Sequence, residues 1–107
     1  MNMDAVNTNY KIAQDFKYEG DDWWSWWSWI EAGDTDLDMV DYVVYTLHST
    51  FRNPVRKISD RASKFKLETE GWGNFIIYAR VVLKNKSEIS LEHELNLEYP
   101  GGMKNVE

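Results

Sequence analysis

The feature that most restricts the fold of this chain is a two-residue alternation of side-chain character. In residues 10–18 the even positions carry Tyr, Ile, Gln, Phe and Tyr, while the odd positions carry Lys11, Ala13, Asp15 and Lys17. The same period returns in residues 89–97, where Ser, Glu, Glu and Asn alternate with Ile, Leu, His, Leu and Leu. Successive side chains of a β-strand point to opposite faces of a sheet, so the alternation predicts two strands that are each buried on one face.

Further strands are predicted between these two. Residues 39–47 and 75–83 are rich in β-branched and aromatic residues and are short for helices, which favours two central strands. A shorter pair of strands is predicted across residues 55–67, after the turn at Asn53 and Pro54. The sum is an all-β fold, an immunoglobulin-like β-sandwich of about seven to eight antiparallel strands. We expect a single domain over residues 1–107, with its informative part at about residues 10–99.

A run of tryptophan is the second unusual feature. Five of the six tryptophans fall within residues 23–29. Their spacing fits either a helix or a strand, but the clusters of Gly and Asp on both sides are typical of turns, and tryptophan favours pleated surfaces. A strand would place Trp23, Trp27 and Trp29 on one face and Trp24, Trp26 and Ile30 on the other. One face is therefore expected to meet the core, and the other is available for a different contact.

Composition excludes several classes of function. The chain has no Cys and a net charge of −6, from 18 acidic and 12 basic residues. Disulfides and thiolate chemistry are excluded, and phosphate backbones would be repelled, so we expect no direct nucleic-acid binding and a basic partner instead. Neither a signal peptide nor an apolar run of about 18 residues is present, so we expect no membrane association. The predicted location is cytoplasmic, or nuclear if the source is eukaryotic.

Candidates for catalysis and metal binding are few. The two histidines are His48 and His93, and the second lies in the apolar register of its strand, which favours a packed or hydrogen-bonded structural role. The spacing of Asp34, Asp36 and Asp38 imitates the start of an EF-hand loop, but Met39 stands where that loop needs glycine. We therefore predict no enzymatic activity, no metal site and no cofactor.

Two loop segments carry a stronger signal. Residues 47–56 follow one predicted central strand, and residues 70–75 precede the other. If the two strands are antiparallel, or end at the same end of the sandwich, the loops meet and can form a slot. The glycines of the second loop are expected to allow a close approach of the backbone. The residues of these loops that are candidates to line the slot are His48, Thr50, Phe51, Gly71, Trp72, Gly73 and Asn74.

These blocks resemble the YEATS family of acyl-lysine readers. The matching segments are residues 43–51 (VVYTLHSTF), 53–56 (NPVR), 65–68 (FKLE) and 71–75 (GWGNF). The resemblance extends over about residues 24–97, and residues 60–65 lack the paired prolines frequent in eukaryotic members, which favours the prokaryotic branch.

The resemblance implies a role for four of the loop residues. It implies that Phe51 and Trp72 sandwich the flat acyl-amide of a modified lysine, while the Thr50 hydroxyl and the backbone N–H of Trp72 bind that amide and His48 orders the pocket. A further aromatic wall is supplied by Trp23 if Trp27 is the strand tryptophan of the family. If Trp24 is that residue, the position falls on Gly20 and the wall is missing. The implied partner is an acylated lysine of acetyl or crotonyl type in a peptide or protein.

Two alternatives remain at this point. The tryptophan strand can serve a protein interaction or a homodimer, with a slot that has lost its ligand. A carboxylate-based hydrolase is the third hypothesis, but the sequence places no two carboxylates where they would converge.

Overall fold

The computed structural model describes residues 9–102 and consists of two packed antiparallel sheets. Residues 1–8 and 103–107, which the single-domain prediction includes, lie outside the described part. The strands are β1 (Lys11–Gly20), β2 (Trp23–Glu31), β3 (Val40–Thr46), β4 (Val55–Ile58), β5 (Leu67–Gly71), β6 (Ile76–Leu83) and β7 (Glu88–Glu94). A short helix, α1 (Asp34–Asp38), links the sheets, and a 3-10 helix covers Arg61–Ser63.

The strand order confirms the predicted sandwich. One sheet has the order β1-β2-β5 and the other β4-β3-β6-β7, with every neighbouring pair antiparallel. Strands β3 and β6 are central, as their apolar composition predicts. The two-residue alternation predicted for the first and last strands is also confirmed, because the even positions of β1 and the odd positions of β7 face the interior.

The tryptophan strand forms the centre of the core. Trp24 and Trp26 are completely buried, and Trp23, Trp27 and Trp29 lie on the opposite, outer face. A buried aromatic side chain removes about 150–250 Å² from water, which stabilises the fold by about 4–6 kcal/mol for each tryptophan. The two-faced strand predicted for this run is therefore confirmed.

A polar clamp joins the open edge of one sheet to the other. His93 Nε2 donates to Gln14 Oε1 at 2.7 Å, and the backbone N–H of Asn96 donates to the same oxygen at 2.7 Å. Burial lowers the pKa of His93, and the neighbouring Glu94 carboxylate opposes that effect. The structural role predicted for His93 is thus confirmed, and it consists of closing β1 against β7.

Two local predictions are wrong. Strands β4 and β5 do not pair with each other, because β4 pairs with β3 while β5 crosses to pair with β2 in the other sheet. The turn predicted after Gly33 is the helix α1, whose Leu37 is buried in the core. Within that helix, Asp38 accepts a hydrogen bond from Arg61 Nε at 2.9 Å, so its carboxylate is engaged in an ion pair.

Candidate functional site

The first wall of the site is a loop folded tightly after β3. The backbone N–H of Phe51 donates to the carbonyl of His48 at 3.0 Å, which makes a turn, and the N–H of Leu47 donates to Pro54 at 2.8 Å, which closes the loop at its base. Arg56 on β4 holds the same loop from below. Its Nε and Nη2 donate to the carbonyls of Asn53 and Arg52 at 2.9 and 3.0 Å.

The second wall comes from the connection between β5 and β6. Trp72 follows the last residue of β5 and is 53% exposed. Phe75 ends the connection, and its carbonyl accepts from Leu95 at 2.9 Å, while Asn74 Oδ1 accepts from the N–H of Leu97 at 3.3 Å. The chain after β7 therefore fastens this loop, and Trp72 projects from a fixed base.

The two loops meet because β3 and β6 are antiparallel neighbours. Thr46, the last residue of β3, pairs with Tyr78 near the start of β6, so the predicted convergence of the loops is confirmed. A cavity of about 410 Å³ lies between them, within the range of about 300–1,000 Å³ typical of small-ligand sites. Its lining consists of Trp23, His48, Thr50, Phe51, Arg52, Glu70, Gly71, Trp72, Gly73, Asn74 and Phe75. All eight residues selected from the sequence lie on this cavity, and their part in binding stays a prediction.

The aromatic walls differ in how firmly they are held. Phe51 is half-buried, with its ring centroid 5.2 Å from that of Phe75 and 6.2 Å from that of the buried Trp26. The Arg56 guanidinium lies 6.0 Å from the Phe51 centroid. Phe51 is thus packed on the core as a fixed wall, whereas Trp72 presents an exposed ring.

The polar part of the slot is the pair His48 and Thr50. The backbone N–H of Thr50 donates to His48 Nδ1 at 3.2 Å, so a neutral imidazole carries its proton on Nε2. Thr50 Oγ1 lies 2.9 Å from the same Nδ1 and in this tautomer acts as the donor. The lone pairs of the hydroxyl oxygen are then directed away from the ring, where they can accept a hydrogen bond from a ligand.

A third aromatic, Trp23, lies at the mouth of the cavity. Its indole Nε1 donates to Glu70 Oε1 at 2.6 Å, which fixes the ring beside the slot. Trp23 lines the cavity and Gly20 does not, which agrees with the alternative that makes Trp23 the further aromatic wall, and its part in binding stays a prediction.

Sequence reasoning missed three residues of the lining. Phe75 is part of the GWGNF block, so its signal was present although it was not selected. Arg52 and Glu70 gave no pattern that separates them from other exposed charges. Glu70 acts through a hydrogen bond to a residue 47 positions away, which no local spacing reveals.

The reason given for the glycines needs a correction. Neither Gly71 nor Gly73 has a positive φ. A methyl group at Gly71 would lie 3.5 Å from the Phe51 ring, whereas one at Gly73 would meet nothing within 4 Å. A separation of 3.5 Å is an ordinary van der Waals contact, so within the chain neither glycine shows an approach too close for a side chain.

Comparison with known proteins identifies this arrangement. The family model of the prokaryotic YEATS domain matches residues 24–96. The chain belongs to the prokaryotic YEATS family. YEATS domains are reader modules, and the match confirms both the family resemblance and the branch stated from the sequence.

Individual YEATS relatives agree with this assignment. The chain is 48% identical over 42 residues to transcription initiation factor TFIID subunit 14 of Schizosaccharomyces pombe, covering 39% of this chain and 17% of that protein. It is 34% identical over 77 residues to the protein AF-9 homolog of Candida glabrata, covering 69% of this chain and 34% of that protein. The chain thus spans about a third or less of the curated relatives it matches.

A solved YEATS structure agrees with the fold. The structure of the Yaf9 YEATS domain recognizing an H3K122suc peptide has a TM-score of 0.63 and 26% identity, covering 82% of this chain and 70% of that one. The YEATS domain described here is therefore similar in structure to domains that read acylated histone lysines.

The described part of the chain contains neither a membrane-spanning helix nor a cluster of metal-binding side chains. In the described residues 9–102, no helix is both long and apolar enough to cross a membrane. Within the same residues, no group of three or more His, Asp or Glu side chains is placed to hold a metal ion.

Proposed function

We propose that this YEATS domain is a non-catalytic binding module that takes an acylated lysine side chain into the slot between Phe51 and Trp72. The observation that carries the proposal is a single cavity with two aromatic walls and one oriented hydroxyl. An acyl-amide needs the aromatic walls because it is flat and polarisable, and it needs the hydroxyl because it carries a hydrogen-bond donor and an acceptor.

The aromatic walls supply the stacking. Contacts between a planar group and an aromatic ring contribute about 0.5–1.5 kcal/mol each beyond the burial of area. The fixed ring of Phe51 gives the amide a surface without losing further side-chain entropy, and the exposed ring of Trp72 covers the other side. Trp23 at the mouth adds a third aromatic surface beside the lysine stem.

The Thr50 hydroxyl supplies the acceptor. It donates to His48 Nδ1 and offers its lone pairs to the amide N–H of the acyl-lysine. A buried amide without a partner would lose about 1–3 kcal/mol, so the position of this oxygen decides whether the slot is useful for amides. His48 acts as a positioning residue, since it orients the hydroxyl and bonds the backbone of the same residue.

The partner fits the family comparison. The Yaf9 YEATS domain, which is 26% identical to this chain, recognizes an H3K122suc peptide. By analogy, we propose an acylated lysine in a basic peptide or protein as the partner of this chain, with the natural ligand and its acyl group left to experiment.

The test is a titration with matched peptides. Peptides that carry acetyl-lysine, crotonyl-lysine, trimethyl-lysine or unmodified lysine at one position are added to wild type and to Trp72→Ala, with binding followed by NMR shifts and tryptophan fluorescence. We expect the two acyl peptides to bind wild type and to lose at least tenfold in affinity with Trp72→Ala. No response to the acyl peptides at millimolar concentration, or tighter binding of trimethyl-lysine than of acetyl-lysine, would contradict the proposal.

A further inference from the structure

The outer face of the three-stranded sheet carries a row of three aromatic side chains, which we call the tryptophan stripe: Trp23, Trp27 and Trp29. They share one face of β2, with Ser25 between the first two. Trp23 is 38% exposed, and the other two are partly exposed. The core does not need this face, because Trp24 and Trp26 on the opposite face already fill the interior.

Carboxylates surround the tryptophan stripe. Trp23 donates its indole N–H to Glu70 at 2.6 Å, and Trp29 donates its own to Glu31 at 2.8 Å. Trp27 is paired across the sheet with Asp15 on one side and Glu68 on the other. The same face also holds Glu19, which accepts from Ser25.

Acidic groups outnumber basic ones on this face. Its five carboxylates, at positions 15, 19, 31, 68 and 70, face three lysines, at positions 11, 17 and 66. Aromatic rings bordered by carboxylates attract cations in two ways, through the ring quadrupole and through direct charge.

One of the three lysines shows how a cation sits here. Lys66 Nζ lies 5.7 Å from the centroid of the Trp27 ring and 2.9 Å from Glu68 Oε2. The ammonium group of Lys66 thus contacts one ring of the stripe and one of the carboxylates beside it at the same time. A Lys or Arg side chain of a partner would meet the same chemistry along the rest of the row.

The stripe is continuous with the slot. Trp23 belongs to both, since it lies on the outer face of β2 and also lines the cavity. Strands rise about 3.3 Å per residue, so Trp27 lies about 13 Å and Trp29 about 20 Å from Trp23 along β2. An extended peptide covers those distances in about four and six residues.

We propose that the tryptophan stripe binds positively charged side chains of the peptide that carries the acylated lysine. The inference rests on the function proposed for the slot. The chain selects peptides whose Lys or Arg residues lie within about six positions of the acylated lysine, on one side of it. A second copy of this chain is a poor occupant, because it would present the same excess of carboxylates to the stripe.

The experiment compares two acetyl-lysine peptides that differ only in their flanks, arginines in one and citrullines, the neutral counterpart, in the other. Exposed contacts between cations and tryptophan correspond to about 2- to 5-fold in affinity each. We expect wild type to prefer the arginine peptide by at least about 5-fold in low salt, and the preference to shrink in 0.5 M salt because exposed charges are screened.

Variants assign that preference to the stripe. Trp27→Leu should reduce it by about 2- to 5-fold, the contribution of one ring, while leaving the affinity for the citrulline peptide unchanged. Tyr78→Leu changes an exposed aromatic on the outer face of the other sheet and should keep it. Lys66→Gln, which removes the resident cation, should increase it. Equal binding of the two peptides by wild type, or a preference that is unchanged in Trp27→Leu, would overturn the proposal.

A third peptide separates this proposal from the one on the slot. It keeps the arginines and has glycine in place of acetyl-lysine. If the citrulline peptide does not bind, and the arginine peptide with acetyl-lysine binds no better than this one while both shift the indole resonances of Trp27 and Trp29, the function proposed for the slot fails and cation binding by the stripe stands. Unmoved indole resonances refute the stripe, and so does a dimer in sedimentation that Trp27→Leu dissociates.

Discussion

Replacing Thr50 by valine tests the polar part of the slot with the smallest change of shape. Valine keeps the β-branched outline and loses the hydroxyl whose oxygen lies 2.9 Å from His48 Nδ1. Thr50 is exposed and belongs to a loop, so the folded chain should lose no more than about 0.5 kcal/mol in stability. The backbone bond from Thr50 to His48 does not involve the hydroxyl and should remain.

The effect on binding is expected to be much larger than the effect on stability. With the ligand enclosed between Phe51 and Trp72, the acyl-amide N–H has no water to replace the missing oxygen. An unsatisfied buried donor costs about 1–3 kcal/mol, which corresponds to an increase of about 5- to 150-fold in the dissociation constant. Thr50→Ser is the matched control, because it restores the hydroxyl and removes only a methyl group.

Isothermal titration calorimetry with an acetyl-lysine peptide measures both variants, and urea unfolding confirms that they remain folded. We expect Thr50→Val to lose at least 5-fold in affinity and Thr50→Ser to remain within about 2-fold of wild type. Thr50→Val binding as well as wild type would show that this hydroxyl is not the acceptor. An equal loss in both variants would mean that packing, and not hydrogen bonding, explains the effect.

Three further changes test other parts of the structure. Arg56→Met removes the two hydrogen bonds that hold the loop carrying Phe51; we expect acetyl-lysine binding to weaken severalfold and amide exchange in residues 48–53 to accelerate, whereas unchanged exchange would contradict this role. Burial lowers the pKa of His93, so below about pH 6.5 the unfolded chain takes up a proton more readily than the folded chain. The free energy of unfolding should therefore decrease as the pH falls. Between pH 7.5 and 5.5, urea unfolding should show a larger loss of free energy of unfolding for wild type than for His93→Gln, and equal losses would refute this linkage. Gly71→Ala adds a methyl group in ordinary contact with the Phe51 ring, 3.5 Å away, whereas the methyl group of Gly73→Ala meets nothing within 4 Å. Calorimetry should therefore show the larger loss of acetyl-lysine binding for Gly71→Ala, because its methyl group takes up space at the wall of the slot, and the reverse order would contradict this.

Local patterns were sufficient to predict most of the strands. The alternation in β1 and β7 and the β-branched composition of β3 and β6 follow from the two-sided geometry of a strand, which each short segment expresses by itself. The division of the tryptophan strand into two faces followed for the same reason, whereas the face that lies in the core was decided by the structure. Once Trp24 and Trp26 are inside, alternation places Trp23, Trp27 and Trp29 outside.

The pairing of the strands was harder to predict from the sequence than their positions. Residues 55–67 were expected to form a pair, yet β4 and β5 belong to different sheets. A segment's own side chains specify that it is extended and which face is apolar, but its partner is chosen by packing across the whole sandwich. The helix α1 was missed for a similar reason, since one turn is stabilised mainly by burying Leu37 and hardly at all by intrinsic propensity.

Some features of the candidate site could likewise be predicted from local segments, and others could not. The HSTF and GWGNF segments and their resemblance to YEATS domains were enough to select seven residues that lie on one cavity, because each segment is local and carries its own pattern. The hydrogen bond from Trp23 to Glu70 and the carboxylates around the tryptophan stripe depend on residues from different strands. Such contacts exist only when the sheets have paired and packed, and for that physical reason they had to be found in three dimensions.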